Sequence, residues 1–375
     1  MKTAYCFTTI RDPTDFVESH VENLKKYGHG EDVTFLIVLD KKTPVSWVGR
    51  LCEYVAGSGF SIECVKVEEQ EQWLDRYPEL TRYIPWNSPL RRNLAFLKAV
   101  EDKYDLVISL DDDNFAGEDD FLEYHSIVGR VFSTIPLKNE GRWFNPCAML
   151  YFNYDVPVFM RGFPYCKRGT SSSFGRFWDE RTDDRIVLNM GLWTDKPDVD
   201  AVTNLSLPSL ESTGIRRDLR QEKLPEKCFM PINTQNTAFL REVAPAFFCV
   251  PYGTIHGLYC GRYDDVWGGL FAQKVIQHMG VRVTVGRPLT IHKRNLHNIL
   301  DDLSKEYWGM MLTEDLVKAV ESIELDGKTY ADSYIDLAKK LERRFAEHSD
   351  IEIRRYLRMI FNSMIVWAET TRDLV

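Results

Sequence analysis

Residues 106–114 read LVISLDDDN, an uncharged pentapeptide that runs directly into three aspartates and an asparagine. Short, nearly continuous apolar runs of this kind are typical of strands that are covered on both faces of a parallel sheet. In such sheets, ligands bind beyond the carboxyl ends of the strands. The sequence therefore places Asp111, Asp112 and Asp113 at the edge where a binding site is expected. The alternative is a solvated acidic turn, because runs of aspartate are common on protein surfaces.

The chain on the N-terminal side of this stretch alternates between strand and helix patterns. Strands are predicted at Thr3–Ile10, Val33–Leu39, Ile62–Val67 and Leu106–Leu110. Helices are predicted from Thr14 to about Tyr27, around Ser46–Val55, and from Ser88-Pro89, where Ser88 caps the helix and Pro89 enters its first turn. This spacing of βαβ units predicts an α/β fold with a doubly wound, mostly parallel sheet.

The second half of the sequence is less regular. Residues 160–230 are rich in loop-forming residues and are predicted to be mostly irregular. Order returns with a helix from Asp264, its predicted cap, to about Met279, and with a strand through Val281–Val285. Everything from Asp301 onward has a helical pattern. We therefore predict a catalytic domain that binds a nucleotide-containing ligand over residues 1–300, and a C-terminal helical region over residues 301–375.

Composition restricts the class of protein. The 375 residues carry a net charge of −9 and are 44% hydrophobic, which is typical of a globular enzyme and argues against a nucleic-acid partner. No apolar run approaches the roughly 20 residues of a membrane span. The apolar run that follows Met1-Lys2 is too short for the hydrophobic region of a signal peptide. The eight scattered cysteines indicate small buried side chains in a reducing compartment. A cytoplasmic protein is expected.

A divalent cation is predicted at the aspartate run. Asp111 and Asp113, with one residue between them, can share Mn²⁺ or Mg²⁺, which then bridges the phosphates of a nucleoside diphosphate, while Asp112 can accept from a ribose hydroxyl. His292, which follows a predicted strand, is a candidate third ligand. The alternative for His292 is an ordinary histidine with its hydrogen bonds satisfied in a loop.

A second polar cluster lies at the predicted helix start, in the sequence Arg262-Tyr263-Asp264-Asp265-Val266-Trp267. Asp264 and Asp265 are candidates for general acid/base catalysis or for binding hydroxyl groups. Arg262 is a candidate substrate-binding residue, and Tyr263 and Trp267 could supply apolar faces for a ring. Simple helix capping by the aspartates and burial of Trp267 are the alternatives.

Three further arginines are candidates for binding phosphate. Arg161 lies in a loop shaped by Gly162 and Pro164, from which a guanidinium could chelate an anion. An arginine buried in an ion pair would give the same sequence. Arg91 and Arg92 lie in the first turn of their predicted helix, where positive charge opposes the helix dipole and therefore hints at a neighbouring anion.

The order of these motifs resembles the reversibly glycosylated polypeptide family, the UDP-arabinopyranose mutases of plants and their bacterial relatives. The resemblance covers most of the chain, from Thr9-Ile10-Arg11 to Lys305-Glu306-Tyr307. Five pieces carry it: Leu110–Phe115, Arg161–Pro164, Gly191–Trp193 with Pro197–Ala201, Asn236–Phe239 and Gly261–Gly269.

The resemblance implies a GT-A-like fold, a nucleotide sugar bound through Asp111, Asp112 and Asp113 with Mn²⁺ or Mg²⁺, and interconversion of pyranose and furanose rings without flavin. It also makes Thr9, Arg11 and Asn236 candidates for substrate binding, and it matches Arg161 to the arginine that is glycosylated in the plant proteins. We favour Arg161 as a diphosphate clamp, because guanidinium stays protonated above pH 12 and is a poor nucleophile.

Two departures leave the nucleobase open. Where the family usually has an Asp-Gly turn, this chain has Asp40-Lys41-Lys42, and its stretch between Tyr165 and Gly191 is longer and rich in Arg and Ser. A GDP-sugar is therefore as compatible as a UDP-sugar. A glycosyltransferase that uses the same sheet and metal turn is the main alternative activity, and a catalytically silent scaffold is the third. The apolar C-terminal helices would also permit a homo-oligomer.

Overall fold

The computed structural model describes residues 1–30, 32–139, 142–169, 174–175, 181–294 and 298–375. Its helices are α1 Thr14–Lys26, α2 Val48–Gly57, α3 Val67–Leu74, α4 Pro78–Thr81, α5 Arg92–Glu101, α6 Phe121–His125, α7 Ala201–Ser206, α8 Asp264–His278, α9 Ile299–Ser322, α10 Tyr330–Phe345 and α11 Ile351–Thr371. Within these ranges, no helix is both long enough and apolar enough to cross a bilayer.

The strands are β1 Thr3–Thr9, β2 Val33–Leu39, β3 Ser61–Val65, β4 Leu106–Leu110, β5 Asn114–Ala116, β6 Val131–Thr134, β7 Lys138–Asn139, β8 Leu150–Phe152, β9 Phe174–Gly175, β10 Thr182–Asp195, β11 Ser212–Ile215, β12 Gln221–Lys223, β13 Asn236–Leu240, β14 Gly253–Ile255, β15 Leu258–Cys260 and β16 Arg282–His292. The main sheet runs in the order β12-β16-β10-β13-β4-β1-β2-β3.

Most strands of the main sheet point the same way. β3, β2, β1 and β4 are parallel neighbours, and β10 and β16 are parallel to each other. β13 is antiparallel to both β4 and β10, so it joins two blocks that share one direction. The fold class predicted from the sequence, an α/β fold with a mostly parallel sheet and a C-terminal helical region, is confirmed.

The buried strands explain why the N-terminal elements were predictable. Every residue of β2 and β4 is buried, and continuous apolar runs are stable only between two covering layers. The Ser88 side chain accepts from the Leu90 backbone N–H at 3.3 Å and caps a single 3₁₀ turn, after which α5 continues as an α-helix. Predicted and observed boundaries of these elements differ by a few residues at most.

Within residues 160–230, predicted to be rich in loops, the sequence analysis missed a long strand. This stretch contains β10, a long central strand whose residues from Ile186 to Trp193 are buried. Its first residues are polar because they extend beyond the core and pair with β6. Gly191 interrupts its apolar pattern because Asn236 and the Pro288 carbonyl lie where a side chain would go, at 2.3 and 2.6 Å from an added Cβ. Residues 170–173 and 176–180 lie outside the described ranges.

The C-terminal helices cover the face of α8. Trp367 of α11 is buried and donates to the Ala244 carbonyl at 2.7 Å, and Thr313 of α9 accepts from the indole of Trp267 at 2.9 Å. Gly309 lets α9 approach closely, since an added Cβ would lie 2.2 Å from the ring of Tyr263. All eight cysteines are free thiols.

Candidate active site

A cavity of about 380 Å³ opens at the carboxyl edge of the main sheet. The chain leaves β1, β2, β4, β10 and β16 at this edge, and the first turn of α8 closes one side. The predicted site residues that line the cavity are Thr9, Arg11, Asp40, Asp111, Asp112, Asp113, Arg161, Arg262, Asp264, Asp265 and His292. Topology brings together those that follow strand ends, because parallel strands end on the same side, whereas Arg161, Arg262, Asp264 and Asp265 come from a loop and from the start of α8.

Asp112 is held between the ends of β1 and β4. Its carboxylate accepts from the Thr9 hydroxyl at 2.6 Å and lies 3.2 Å from Nε of Arg11. Burial raises the pKa of Asp112 to about 6, and the neighbouring aspartates add to this, while Thr9 and Arg11 oppose it. The acidic turn is therefore partly buried and organised, unlike a solvated loop.

Asp111 forms an ion pair with Arg92 of α5. The guanidinium of Arg92 also donates to the Thr234 hydroxyl and to its carbonyl, the latter at 3.0 Å. Burial raises the pKa of Asp111 even though Arg92 acts in the opposite direction. Arg92 thereby ties the aspartate turn to the segment that precedes β13, and one Asp111 oxygen is already engaged.

Asp113 and His292 form a pair that suits a divalent cation. Nδ1 of His292 donates to the Lys196 carbonyl at 2.6 Å, and Nε2 lies 3.7 Å from Asp113, which raises the pKa of His292 against the effect of burial. This separation is long for a hydrogen bond but compatible with two ligands of one metal ion. The described residues hold no group of three His, Cys, Asp or Glu side chains arranged around one metal position. Mg²⁺ and Mn²⁺ sites often use few protein ligands plus phosphate and water.

Asp40 lies at the end of β2 and is 3% exposed. Its carboxylate accepts from the backbone N–H groups of Lys41, Asn87 and Ser88 at 2.7, 2.8 and 3.1 Å. A carboxylate has about four acceptor positions, so one remains. Asp40 therefore shapes this end of the cavity by holding residues 87–88 in place.

Arg161 is 4% exposed and its five N–H groups are all engaged. Nε and one terminal nitrogen contact Asp198 at 2.8 and 3.0 Å, the two terminal nitrogens contact Asp265 at 3.2 and 3.3 Å, and the Arg262 carbonyl accepts the remaining N–H. Burial alone would lower the pKa of Arg161, but the two carboxylates raise it well above its usual value. This is the buried ion pair considered above as the alternative. In this conformation, Arg161 has no donor left to clamp a diphosphate.

Two other arginines of the cavity are less fully engaged. Arg262 lies 2.8 Å from Glu306 of α9 and 3.6 Å from Asp302. Arg294, which follows His292 by two residues, donates one hydrogen bond within the described structure, to Asp302 at 2.9 Å. Burial lowers the pKa of Arg294 and repulsion from Arg262 adds to that, with partial compensation from Asp302.

Asp264 and Asp265 begin α8 but differ in environment. Asp265 accepts two bonds from Arg161, one from the Thr234 N–H at 3.4 Å and one from the Val266 N–H at 2.9 Å. Burial, followed by repulsion from Asp265, raises the pKa of Asp264 to about 7, and the neighbouring Tyr252 hydroxyl acts in the opposite direction. Asp264 does not cap α8 as expected, because the helix already begins at this residue and its cap position is Tyr263.

Four predicted site residues do not line the cavity. Arg91, expected beside the phosphates, is buried, donates to Gln70 and the Ile84 carbonyl, and stacks 3.5 Å from the centre of the Trp86 ring. Its successor in the sequence, Arg92, faces the cavity instead. Helix phase decides this, since consecutive residues point about 100° apart.

Tyr263, Trp267 and Asn236 are packing residues. Both aromatic rings are at most 2% exposed, which confirms burial of Trp267 as the alternative considered above. Asn236 donates to the carbonyls of Leu192 and Pro288 at 3.1 and 2.9 Å and accepts from His125 at 2.8 Å. It therefore joins β10, β13 and β16 beneath the cavity.

The sequence analysis missed Asp198, Tyr252 and Arg294 as cavity residues, whereas Arg92, which it placed near the diphosphate, lines the cavity. The available signals were weak: Asp198 belongs to the Pro197–Ala201 motif, and Arg294 follows His292 closely. Tyr252 follows a run of buried residues from Phe247 to Pro251 and carried no signal of its own. The neighbouring Pro251 carbonyl accepts from Tyr356 of α11 at 3.3 Å, so a contact distant in sequence holds this segment at the cavity.

A family model described as "Reversibly glycosylated polypeptide" matches residues 57–374, and the chain belongs to this family. Relatives include UDP-arabinopyranose mutase 1 of Arabidopsis thaliana, 27% identical over 272 residues that cover 72% of this chain and 69% of that protein. Probable UDP-arabinopyranose mutase 4 of Arabidopsis thaliana is 26% identical, covering 72% and 68%. UDP-arabinopyranose mutase 1 of Oryza sativa subsp. japonica is 25% identical with the same coverage.

Among solved structures, TarS of S. aureus has a TM-score of 0.37 at 12% identity, covering 93% of this chain and 44% of that chain. TarS 1-349 of S. aureus in complex with UDP has a TM-score of 0.33 at 11% identity, covering 100% and 92%. Both TM-scores are below 0.5, so neither likeness is informative about the chemistry of the cavity.

Proposed function

We propose that this chain is a nucleotide-sugar mutase that interconverts the pyranose and furanose forms of a UDP-sugar. Relatives matched over 272 residues bear the name UDP-arabinopyranose mutase, which makes UDP-arabinopyranose the first substrate to test. The observation that carries the proposal is that one cavity holds both the aspartate turn Asp111–Asp113, which could bind a diphosphate through a divalent cation, and a pair of carboxylates at Asp264 and Asp265. A mutase of this kind would release the nucleoside diphosphate from C1 of the sugar and recapture it, beside a group that accepts and returns a proton.

The charge balance supports a divalent cation as cofactor. Seven aspartates and five arginines are among the described residues that line the cavity, so a diphosphate brings further negative charge into an acidic site. Asp113 and His292 would hold Mn²⁺ or Mg²⁺, with Asp111 adjacent. Such an ion supplies charge that stabilises the departing diphosphate.

The remaining residues have roles that follow from their positions. Asp112 and Arg11, fixed by Thr9, would contact the ribose side of the nucleotide, and Asp40 would shape the slot for the base. Arg262 and Arg294 would face the phosphates. Arg161 would hold Asp198 and Asp265 in place rather than bind substrate, which replaces the clamp role expected from the sequence.

The proposal is tested by proton NMR of the purified chain with Mn²⁺ removed and Mg²⁺ supplied, and with UDP-arabinopyranose as the sole nucleotide sugar. A new anomeric signal without release of UDP, absent in Asp113→Ala, supports a mutase. Slow hydrolysis without isomer would instead favour a glycosyltransferase, and no turnover of any kind would favour a scaffold. GDP-sugars in the same panel test the nucleobase, which Asp40-Lys41-Lys42 leaves open.

A further inference from the structure

The two aspartates at the start of α8 cannot play the same part in a reaction, because only one of them has free acceptor positions. Asp265 receives four hydrogen bonds from N–H donors: two from Arg161 and one each from Thr234 and Val266. A carboxylate has about four such positions. Asp265 is therefore saturated and must remain an acceptor-only carboxylate to keep these bonds.

Asp264 has the opposite character. Like Tyr252, it lines the cavity. No N–H group of the described structure donates to its carboxylate, and the neighbouring Tyr252 hydroxyl lowers its pKa. A hydroxyl can donate to the carboxylate or accept from the carboxylic acid. Both protonation states of Asp264 therefore keep a partner, which a group that takes up and returns a proton requires.

We propose that Asp264 alone carries the proton of the ring-contraction step, that Tyr252 orients it, and that Asp265 with Arg161 provides a fixed charge beside it. This inference rests on the proposed mutase function and assigns its proton carrier. Tyr252 and Asp265 are positioning residues because they act through Asp264.

One proton suffices for a complete turnover. The bond from C1 to the phosphate oxygen breaks and UDP departs with the electron pair, while O4 of the sugar bonds to C1 and gives its proton to the Asp264 carboxylate. In the second half, a phosphate oxygen of UDP bonds to C1, the bond from C1 to O5 breaks, and O5 takes the proton back from Asp264. No oxidant or reductant is needed, and Asp264 returns to its starting state.

The charged and titratable groups that face Asp264 make its behaviour testable. They are Asp265 of the same helix, Arg92 of α5, Arg161, Cys249, Tyr252, Tyr259 and Tyr356 of α11. Burial raises the pKa of the thiol and of each of the three phenols, so these four groups are neutral near pH 7. Asp265, Arg92 and Arg161 thus set the electrostatic field at Asp264.

The experiment compares pH profiles of kcat/KM for the full chain and three variants. In the wild type, activity should fall as Asp264 becomes protonated below a pKa of about 7. Asp265→Asn removes a negative neighbour and should move this limb to lower pH. Tyr252→Phe removes the hydroxyl that lowers the pKa of Asp264 and should move this limb to higher pH. Asp264→Asn should lower kcat by at least about a hundredfold with little change in KM.

Titration of ¹³C-carboxyl-labelled aspartate by NMR gives the same pKa values without relying on turnover. Asp75→Asn, at an exposed position remote from the cavity, is the matched carboxyl-to-amide control. If the wild type isomerises UDP-arabinopyranose but Tyr252→Phe and Asp265→Asn shift neither measurement, the inference is overturned and the mutase function stands. If the wild type isomerises no nucleotide sugar, the proposed function itself is wrong.

Discussion

Arg161 is the counter-ion of two buried carboxylates, Asp198 and Asp265. Arg161→Ala would leave Asp198 and Asp265 buried without their counter-ion, and such changes cost about 3–5 kcal/mol of unfolding free energy. Arg161→Lys keeps the charge but loses most of the five directed donors, so we expect an intermediate loss. Urea denaturation of both variants measures this. Wild-type stability in Arg161→Ala would contradict the ion-pair assignment.

The same environment makes Arg161 a poor acceptor of sugar. Its side chain is 5% exposed, its N–H groups are all engaged and its pKa is raised, so no nitrogen lone pair is available for attack on C1. We expect the intact mass of the folded chain to remain unchanged after incubation with UDP-arabinopyranose and Mg²⁺. A mass increase of one pentose, mapped to Arg161 by peptide analysis and absent in Arg161→Lys, would show that the loop opens in solution.

Arg294 is the better candidate for a phosphate contact, because it lines the cavity and donates one hydrogen bond in the described structure. A charge-assisted bond contributes about 1.5–3 kcal/mol, so Arg294→Gln should weaken UDP binding roughly tenfold or more. Uridine, which has no phosphate, should bind both proteins alike. Calorimetric titration measures this, with Arg130→Gln on the exposed surface as the control. Equal UDP affinity in Arg294→Gln would exclude the contact.

The residues of the site that could be predicted from the sequence are those that follow strand ends. Asp111–Asp113 and Thr9 lie at the cavity because β4 and β1 end there, and apolar runs locate such strands well. Arg91 and Trp267 could not be placed, because the face that a helical residue presents depends on packing rather than on its neighbours in sequence. The position of Tyr252 at the cavity depends on contacts between residues that are distant in sequence, so it could not be predicted either.

At the scale of elements, two glycines allow α8 to pack closely against the segments that contain Phe248 and Ile232. An added Cβ at Gly268 would lie 2.2 Å from the Phe248 carbonyl oxygen, and one at Gly269 would lie 2.6 Å from Ile232. α8 therefore packs backbone against backbone, and this depth fixes the position of Asp264 and Asp265 in its first turn. The apolar pattern of α8 predicts the helix but says nothing about this close approach.

Gly268→Ala should consequently displace α8. Overpacking of this kind costs about 1–3 kcal/mol, and we expect kcat/KM to fall together with stability because the first turn moves with the helix. Gly49→Ala in α2 is the matched control: no atom lies within 4 Å of its added Cβ, so it should be neutral or stabilise by up to about 1 kcal/mol. Thermal unfolding of the two variants distinguishes them. Equal effects would mean that the packing at Gly268 is not tight.

β10 shows why the central part of the fold was not predictable. Its sequence, TDDRIVLNMGLWTD, begins with polar residues and contains Asn189 and Gly191 within the buried part. Asn189 is satisfied by contacts from other elements, donating to the Arg287 carbonyl at 3.0 Å and accepting from Thr284 at 2.8 Å. A buried polar network of this kind is stable only when all its members are present. Because the partners of Asn189 are distant in sequence, the local sequence pattern does not predict the strand.

At the scale of the whole molecule, the helical region from residue 301 packs against the domain that holds the cavity and contacts one of the cavity residues. Glu306 of α9 pairs with Arg262, and Trp367 of α11 is buried against Ala244. We therefore expect one cooperative unfolding transition in scanning calorimetry, although the sequence suggested two regions. Residues 1–300 expressed alone should expose the apolar face of α8 and aggregate. Two separate transitions, or a stable fragment of residues 1–300, would contradict this.

The acidity of the cavity predicts that UDP binding depends on a divalent cation. Among the residues that the structure describes, seven aspartates, five arginines and His292 line it, so UDP, itself negatively charged, should bind the chain weakly without a cation. Mg²⁺ or Mn²⁺ coordinated by Asp113 and His292 would reverse the local sign and strengthen UDP binding at least tenfold. Calorimetric titration of UDP after chelator treatment, and again after addition of Mg²⁺, measures this difference. Asp113→Ala should abolish the response to Mg²⁺ but retain the weak binding, whereas Asp75→Asn should respond like the wild type. If UDP binds equally tightly with and without the ion, the arginines suffice and the cation has no part in binding.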